Sequence, residues 1–319
     1  MIDLSTDRAR LRSGAQKNHM HRSQPPQQRH AAGHATFSRR EMLATGAVGL
    51  FSLVTSARST ARAAACDFPI RDGVPRVDYH AHVGDGISVD GAIKLSRQRG
   101  LKLGLLQHAG VKGHGYAVSD DEELDAWIRS LQGKPVFKGI EGEGTDWMSA
   151  FSKSAIARLD YVQADPLAVP DKSGTPIQIW RPEFRPGDPQ EFMDRYVDYH
   201  LRLITTHPID ILAVPTFLPE ALRADYDRLW TARRARTIID ALVKFNVAFE
   251  IDSRFRVPSE RLLQMAKSAG VTFAFGSNYQ TAERLGDISY CVEMYRRLGL
   301  TTGQFFCPAG PGMKPVERR

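Results

Sequence analysis

Residues 247–278 read VAFEIDSRFRVPSERLLQMAKSAGVTFAFGSN. Val247 to Ile251 is a short apolar run and predicts a strand. Pro258 to Ala269 is amphipathic and predicts a helix stopped by Gly270, after which Val271 to Phe275 predicts a second strand. Strand, helix and strand in succession specify a parallel pair joined by a crossover. The unit recurs outward from here. Upstream, Val74 to Val83, Leu101 to Gln107, Val136 to Glu141, Leu159 to Gln163 and Ile209 to Val214 read as strands. Between them Val89 to Arg99, Ser119 to Leu131 with Glu122 at the capping-box position, Pro189 to Thr205 and Thr231 to Phe245 read as helices. A last helix covers Ile288 to Leu298. Residues 166–189, polar and broken by proline, are expected to form a surface loop over one end of the domain. About seven strand–helix units without a break in composition predict one α/β barrel domain over residues 66–319, with its reacting groups at the carboxyl ends of the strands.

Length and composition agree with a soluble globular protein: 319 residues, 42% hydrophobic and 25% charged. The formal charge of +7 lies wholly in residues 1–65, which hold ten basic and three acidic residues, and the remainder carries 33 of each. A basic field that would drive nucleic-acid binding is therefore not expected of the folded part. Within the basic segment, Ser38-Arg39-Arg40-Glu41-Met42-Leu43 resembles the twin-arginine export motif of bacteria. The weakly apolar run Ala44 to Ala57 and Ala63-Ala64-Ala65, an A-x-A type cleavage site, follow it. The run is too short and too rich in Gly, Ser and Thr to span a membrane stably. Residues 1–65 are thus read as an export signal, removed or disordered. The twin-arginine machinery is the expected partner and the periplasm or exterior the expected destination. Cleavage after Ala65 would make Cys66 the new N-terminus, where lipidation is conceivable, but the alanine three positions earlier is a poor fit to a lipobox and soluble export is preferred. Of the three cysteines, Cys291 and Cys307 could pair in an oxidising compartment, but buried thiols are the preferred reading.

The chemistry-bearing residues fall at the predicted strand ends. VDYHAHVGDG, residues 77–86, places His80 and His82 two apart just before a glycine-rich turn, so that both imidazoles project from one face and can converge on one metal ion. Asp85 follows in the same turn, and His108 follows the second strand, as a ligand or as a loop histidine. Glu141 ends the third strand with Glu143 beyond it; a carboxylate buried there is costly unless paired or bound to metal. Asp165, Glu250 with Asp252, and Ser277-Asn278 end later strands. Arg254 and Arg256 follow the strand that bears Glu250, where a guanidinium clamps an anionic substrate or is simply solvated. His200 and His207 read as surface or structural, and His114, between glycines, as a residue near the site mouth.

The order of VDYHAHVGDG, GIEGE, ARLDYVQAD, IDILAVPT, FEIDSR with PSERLLQMAKSAGVTFAFGSN, and LGDISYCVEM resembles the PHP (polymerase and histidinol phosphatase) family of metal-dependent phosphoesterases over about Val74 to Pro308. The resemblance implies a distorted (β/α)7 barrel of PHP type. It sets His80, His82 and Glu141 on three ligands of one metal, with Asn278 where the family has an aspartate. It sets Asp85 and His108 on two ligands of another, with Gln280 in place of a histidine. A remaining metal shares Glu141, but its two histidines are here replaced by residues around 165–167 and by Val214, and Gln107 stands where an acidic residue usually precedes His108. The expectation is an exported hydrolase of phosphoesterase type that uses a metal-activated water at a reduced site of one or two divalent ions (Zn, Mn or Fe) on a small anionic substrate. The alternative is a PHP-like pseudoenzyme that binds a metal, ligand or partner. A barrel amidohydrolase shares the paired histidines but not the FGSN segment or the seven-unit rhythm.

Overall fold

The computed structural model describes residues 66–84, 86–171 and 175–318. The expected export signal and cleavage site in residues 1–65, and Asp85, lie outside the described residues. Seven strands pair in parallel: Val77–His82 (β1), Lys102–Leu106 (β2), Phe137–Gly142 (β3), Tyr161–Ala164 (β4), Ile211–Leu212 (β5), Ala248–Asp252 (β6) and Phe273–Gly276 (β7). Their order across the sheet is their order in the chain, as repeated right-handed crossovers dictate. The connecting helices include Val89–Arg99 (α1), Asp121–Ser130 (α2), Pro189–Thr206 (α3), Ala232–Phe245 (α4), Glu260–Ser268 (α5) and Ser289–Arg297 (α6). Every residue of β1, β4, β5, β6 and β7 is buried, as strands covered on both faces must be. Among the described residues no helix is long and apolar enough to cross a membrane.

β7 returns to β1 and nearly closes the barrel. Ala81 bridges Tyr279 in parallel, and the Asn278 N–H donates to the His80 carbonyl at 2.8 Å. The buried Asp78 carboxylate accepts from the Ser277 N–H at 2.9 Å and the Ser277 hydroxyl at 2.6 Å. Toward the amino ends of the strands the interior is filled by aromatic rings. A Cβ on Gly104 or Gly139 would run into the Tyr161 ring, so these glycines make room for it. The Tyr161 hydroxyl donates to the Tyr79 carbonyl at 2.6 Å, and the Tyr79 ring meets Phe306 edge-on at 5.2 Å. The polar side chains of the candidate site lie at the carboxyl ends, while Asp78 and Asp210, buried nearer the amino ends, are taken up by hydrogen bonds to neighbouring strands and their flanks.

Three local readings differ from the sequence expectation. The cap of α2 is Asp120, not Ser119: its carboxylate accepts from the Glu123 N–H at 2.9 Å, while Glu123 itself accepts from the Ser119 N–H at 2.6 Å, so the box is shifted by one residue. Residues 166–189 are not all surface loop. Ala168–Pro170 and Pro176–Gln178 pair as an antiparallel hairpin, and Leu167, Val169 and Ile179 are buried. Finally, Cys307 pairs with Cys66 in a disulfide with Cα atoms 5.6 Å apart, which leaves Cys291 as a buried thiol. Pairing of Cys291 with Cys307, and Cys307 as a free thiol, are both corrected.

Candidate metal centre

β1 supplies two imidazoles. His80 and His82 sit two residues apart, turn to the same side, and bring their Nε2 atoms to 3.1 Å. β3 supplies Glu141, whose Oε1 lies 3.3 Å from His80 Nε2 and whose Oε2 lies 3.4 Å from His82 Nε2. All three residues are buried. Neighbouring strands fix them. Glu250 of β6 accepts from His80 Nδ1 at 2.8 Å, so the Nε2 edge faces the cluster, and the other Glu250 oxygen accepts from the Val214 N–H at 2.6 Å. Gln163 of β4 pairs in register with Glu141 and donates to its Oε1 at 3.0 Å. Gly276 makes this approach possible. A Cβ there would overlap Glu250 Oε1 and crowd the His80 Cβ.

The outer part of the cluster adds His108 and Glu143. His108 pairs in register with Glu141 across a parallel ladder, its ring stacks on His82 at 4.5 Å, and its Nδ1 lies 2.6 Å from Glu143 Oε1 and 3.3 Å from Glu141 Oε2. On the inner side, His80, Glu250 and Asp252 form a further group of close ligand atoms. Asn278 lies beside the inner group: its amide hydrogen-bonds Asp252, and its backbone is left-handed, with φ of 54°. A cavity of about 480 Å³ opens over the cluster. His82, His108, Glu143, Asp165, Arg254 and Trp180 are on its wall, and His114, Asn278 and Gln280 also reach it. Arg254 is held by the Asn278 carbonyl at 3.2 Å. His200, expected as surface or structural, is fully buried, with ring nitrogens 2.7 Å from the Tyr196 carbonyl and 2.5 Å from the Pro215 carbonyl.

Glu143, Glu250 and Asp252 were visible in the sequence as acidic residues at strand ends, but without a role. The signal that could have found them is spacing: Glu141 with Glu143 and Glu250 with Asp252 repeat the two-residue interval of His80 with His82. Which neighbour each faces depends on inter-strand register, which one sequence does not display.

The electrostatics of the cluster leave His82 and Glu141 ready to ligate, with His80 holding a proton. Burial works to lower the His80 pKa, but Glu250 and Glu141 together outweigh it and raise it well above the usual imidazole value. His82 is pushed down to about 4, chiefly by burial, so its ring is neutral at pH 7. Burial also works to raise Glu141, but His80 and His82 hold it ionised, well below the usual carboxylate range. Asp165 is raised well above that range by burial and then by Glu141 and Glu143, and Asp252 is raised to about 8 by burial and Glu250. Ligand atoms around a four-coordinate zinc, at bond lengths of roughly 2.0–2.1 Å, stand about 3.3 Å apart. The 3.1–3.4 Å separations of His80 Nε2, His82 Nε2 and the Glu141 oxygens fit that spacing.

No family model matches the chain, and no curated protein matches it. Among solved structures, the chain is similar to histidinol phosphate phosphatase from Lactococcus lactis subsp. lactis, complexed with zinc, L-histidinol and phosphate. The TM-score is 0.52 at 18% identity, over 72% of this chain and 98% of that one. Two structures of β-mannanase from Streptomyces thermolilacinus, one with mannohexaose, give TM-scores of 0.33 and 0.32 at 13% identity, over 78% of this chain and 87% and 86% of theirs. The first likeness shows the fold, a PHP-like barrel; the other two are too distant to carry an argument.

Proposed function

We propose that this protein is an exported metal-dependent hydrolase of phosphoesterase type, acting on a small anionic substrate. The observation that carries the reading is the meeting of His80 Nε2, His82 Nε2 and the Glu141 carboxylate, from two separate strands, beneath an open cavity. These three residues would hold a divalent ion such as zinc. Bound there, the metal supplies Lewis acidity, which acidifies water and offsets negative charge on a reacting phosphoryl group. The rest falls to the chain. Glu250 fixes the tautomer of His80, and Gln163 fixes the orientation of Glu141. Arg254, on the cavity wall, offers a guanidinium to an anionic group.

The PHP-like fold and the ligand-bearing neighbour complexed with zinc and phosphate support this reading. Export is supported by the twin-arginine motif and by the Cys66–Cys307 disulfide, a bond that persists in oxidising compartments. With Cys66 engaged in that bond, soluble export fits better than lipidation. Asn278, whose amide keeps company with Asp252 and offers the cluster no carboxylate, favours a second reading in which metal binding outlives turnover.

The test is elemental analysis of chelator-free protein together with hydrolysis of a generic aryl phosphate. About one equivalent or more of transition metal per chain, lost with turnover in His80→Ala/His82→Ala, is expected. Metal without turnover selects the pseudoenzyme, and less than about a tenth of an equivalent in both proteins overturns the hydrolase.

A further inference from the structure

We infer that the substrate carries an aromatic ring on its organic side, and that Trp180, on the wall of the cavity over the cluster, is the residue that selects it. The inference deepens the proposed function and rests on it: the phosphoryl group goes to the cluster and Arg254, and the ring to an aromatic wall.

The cavity is larger than the phosphoryl chemistry needs. Its volume is about 480 Å³, the space of roughly sixteen waters in the liquid, so a bound phosphate leaves most of it for an organic group. Besides the cluster, the rings of Tyr116, Trp180 and Phe255 stand on its wall. Each is placed by its own local structure. Gly110 leaves room for Tyr116, since a Cβ there would lie 2.6 Å from the ring. The Phe255 N–H donates to Asp252 Oδ1 at 2.6 Å, and its ring meets Phe217 edge-on at 4.8 Å. Trp180 follows the hairpin of residues 168–178. There Ile179 is buried and its N–H donates to the Leu167 carbonyl at 2.9 Å, while the Arg181 guanidinium lies over the indole at 5.1 Å and restrains it.

Trp180 does not serve the core. It is 48% exposed, whereas Trp127, Trp147 and Trp230 are buried. An indole that packing leaves free, on the wall of a cavity, keeps its surface for a ligand. The rest of that wall separates an aromatic substrate from a sugar phosphate. Between residues 166 and 189 the side chains that reach the cavity are Leu167, Ala168, Gln178 and Trp180, of which only Gln178 is polar. A sugar taken out of water there would leave most of its hydroxyls without partners, while an aromatic ring gains offset or edge-on contacts. The adjacent Arg254 and Phe255 set a guanidinium and a ring on one wall, which matches an anion and a ring in one molecule. Hydrolysis of such an ester adds water across the phosphorus–oxygen bond: the hydroxyl goes to phosphorus and the proton to the ring-bearing alcohol.

The test is calorimetry on protein purified without chelator, with probes that resist hydrolysis. These are benzylphosphonate, cyclohexylmethylphosphonate and the methylenephosphonate analogue of glucose 6-phosphate, beside inorganic phosphate. The cyclohexyl compound is the more apolar, so burial alone would favour it. The wild type is expected to bind benzylphosphonate about fivefold or more tighter than the cyclohexyl and sugar compounds. Trp180→Ala is expected to lose that preference, with phosphate affinity and metal content unchanged, and Trp180→Phe to keep most of it. Equal binding of the benzyl and cyclohexyl compounds, or tightest binding of the sugar analogue, overturns the inference and leaves the hydrolase standing. An undiminished preference in Trp180→Ala, or loss of metal from that variant, overturns the role of Trp180. Failure of every phosphonate and of inorganic phosphate to bind overturns the phosphoesterase reading, and this inference with it.

Discussion

His80 is the residue on which the two faces of the centre meet: one ring nitrogen is spoken for by Glu250, and the other faces His82 and Glu141. In the metal-free protein its raised pKa keeps a proton on the ring at pH 7. The stability contributed by that proton is complete below the ordinary imidazole pKa of about 6.5 and is lost as pH climbs through the raised folded value. A metal must displace the proton from Nε2, whereas His82, at about 4, and Glu141, held ionised, have none to give. Metal binding at neutral pH is therefore expected to release about one proton per ion and to tighten with rising pH. Calorimetry in buffers of different ionisation enthalpy measures this directly; release of none, or of two, would mean the protonation states assigned to the histidines are wrong. The pairing of His80 with His82 was legible from their two-residue spacing on a short apolar strand. The role of Glu250 was not, because it depends on a neighbour 170 residues away along the chain.

At the scale of elements, the strand–helix rhythm was readable because each unit carries its own punctuation. α1 begins at Ser88, whose hydroxyl accepts from the Gly91 N–H, and ends at Gly100 in the left-handed conformation, while α4 ends at Asn246 in the same conformation. The hairpin at 168–178 was hidden by its prolines and polar residues, which mask the alternation that buries Leu167, Val169 and Ile179. Contact between strands was likewise illegible, and Gly276 of β7 is the clearest case. In the sequence it is a glycine between the strand ending at Phe275 and Ser277-Asn278 with no role assigned, yet what it does is leave space for Glu250 of β6 against His80 of β1. Gly276→Ala is expected to cost about 1–3 kcal/mol by overpacking and to weaken metal uptake at least several-fold. Denaturant unfolding and metal counting check the two effects; a variant that matches the wild type in both would show that the β6–β7 packing does not hold Glu250 in place.

Over the whole described domain, the polar groups of the site gather at the carboxyl ends of the strands, as the strand-end inventory of the sequence anticipated, while the aromatic filling of the amino ends was not read from it. The covalent closure was not anticipated. Cys66 and Cys307 are 241 residues apart, and sequence offers no measure of their separation in space. The bond ties the segment before β1 to the segment after α6, so reduction or Cys66→Ser is expected to lower stability by about 2–5 kcal/mol. Thermal unfolding with and without reductant reads this out, and an unchanged transition would mean the bond is absent from the purified protein. The central claim, that two imidazoles and one carboxylate share an ion, is met most directly by X-ray absorption at the zinc edge on protein loaded with one equivalent. Outer-shell scattering from two imidazole rings, with nitrogen and oxygen in the inner shell, is the expected spectrum, reduced to background in His80→Ala/His82→Ala. Zinc bound without imidazole scattering, or with the same spectrum in the variant, would place the ion elsewhere and contradict the account.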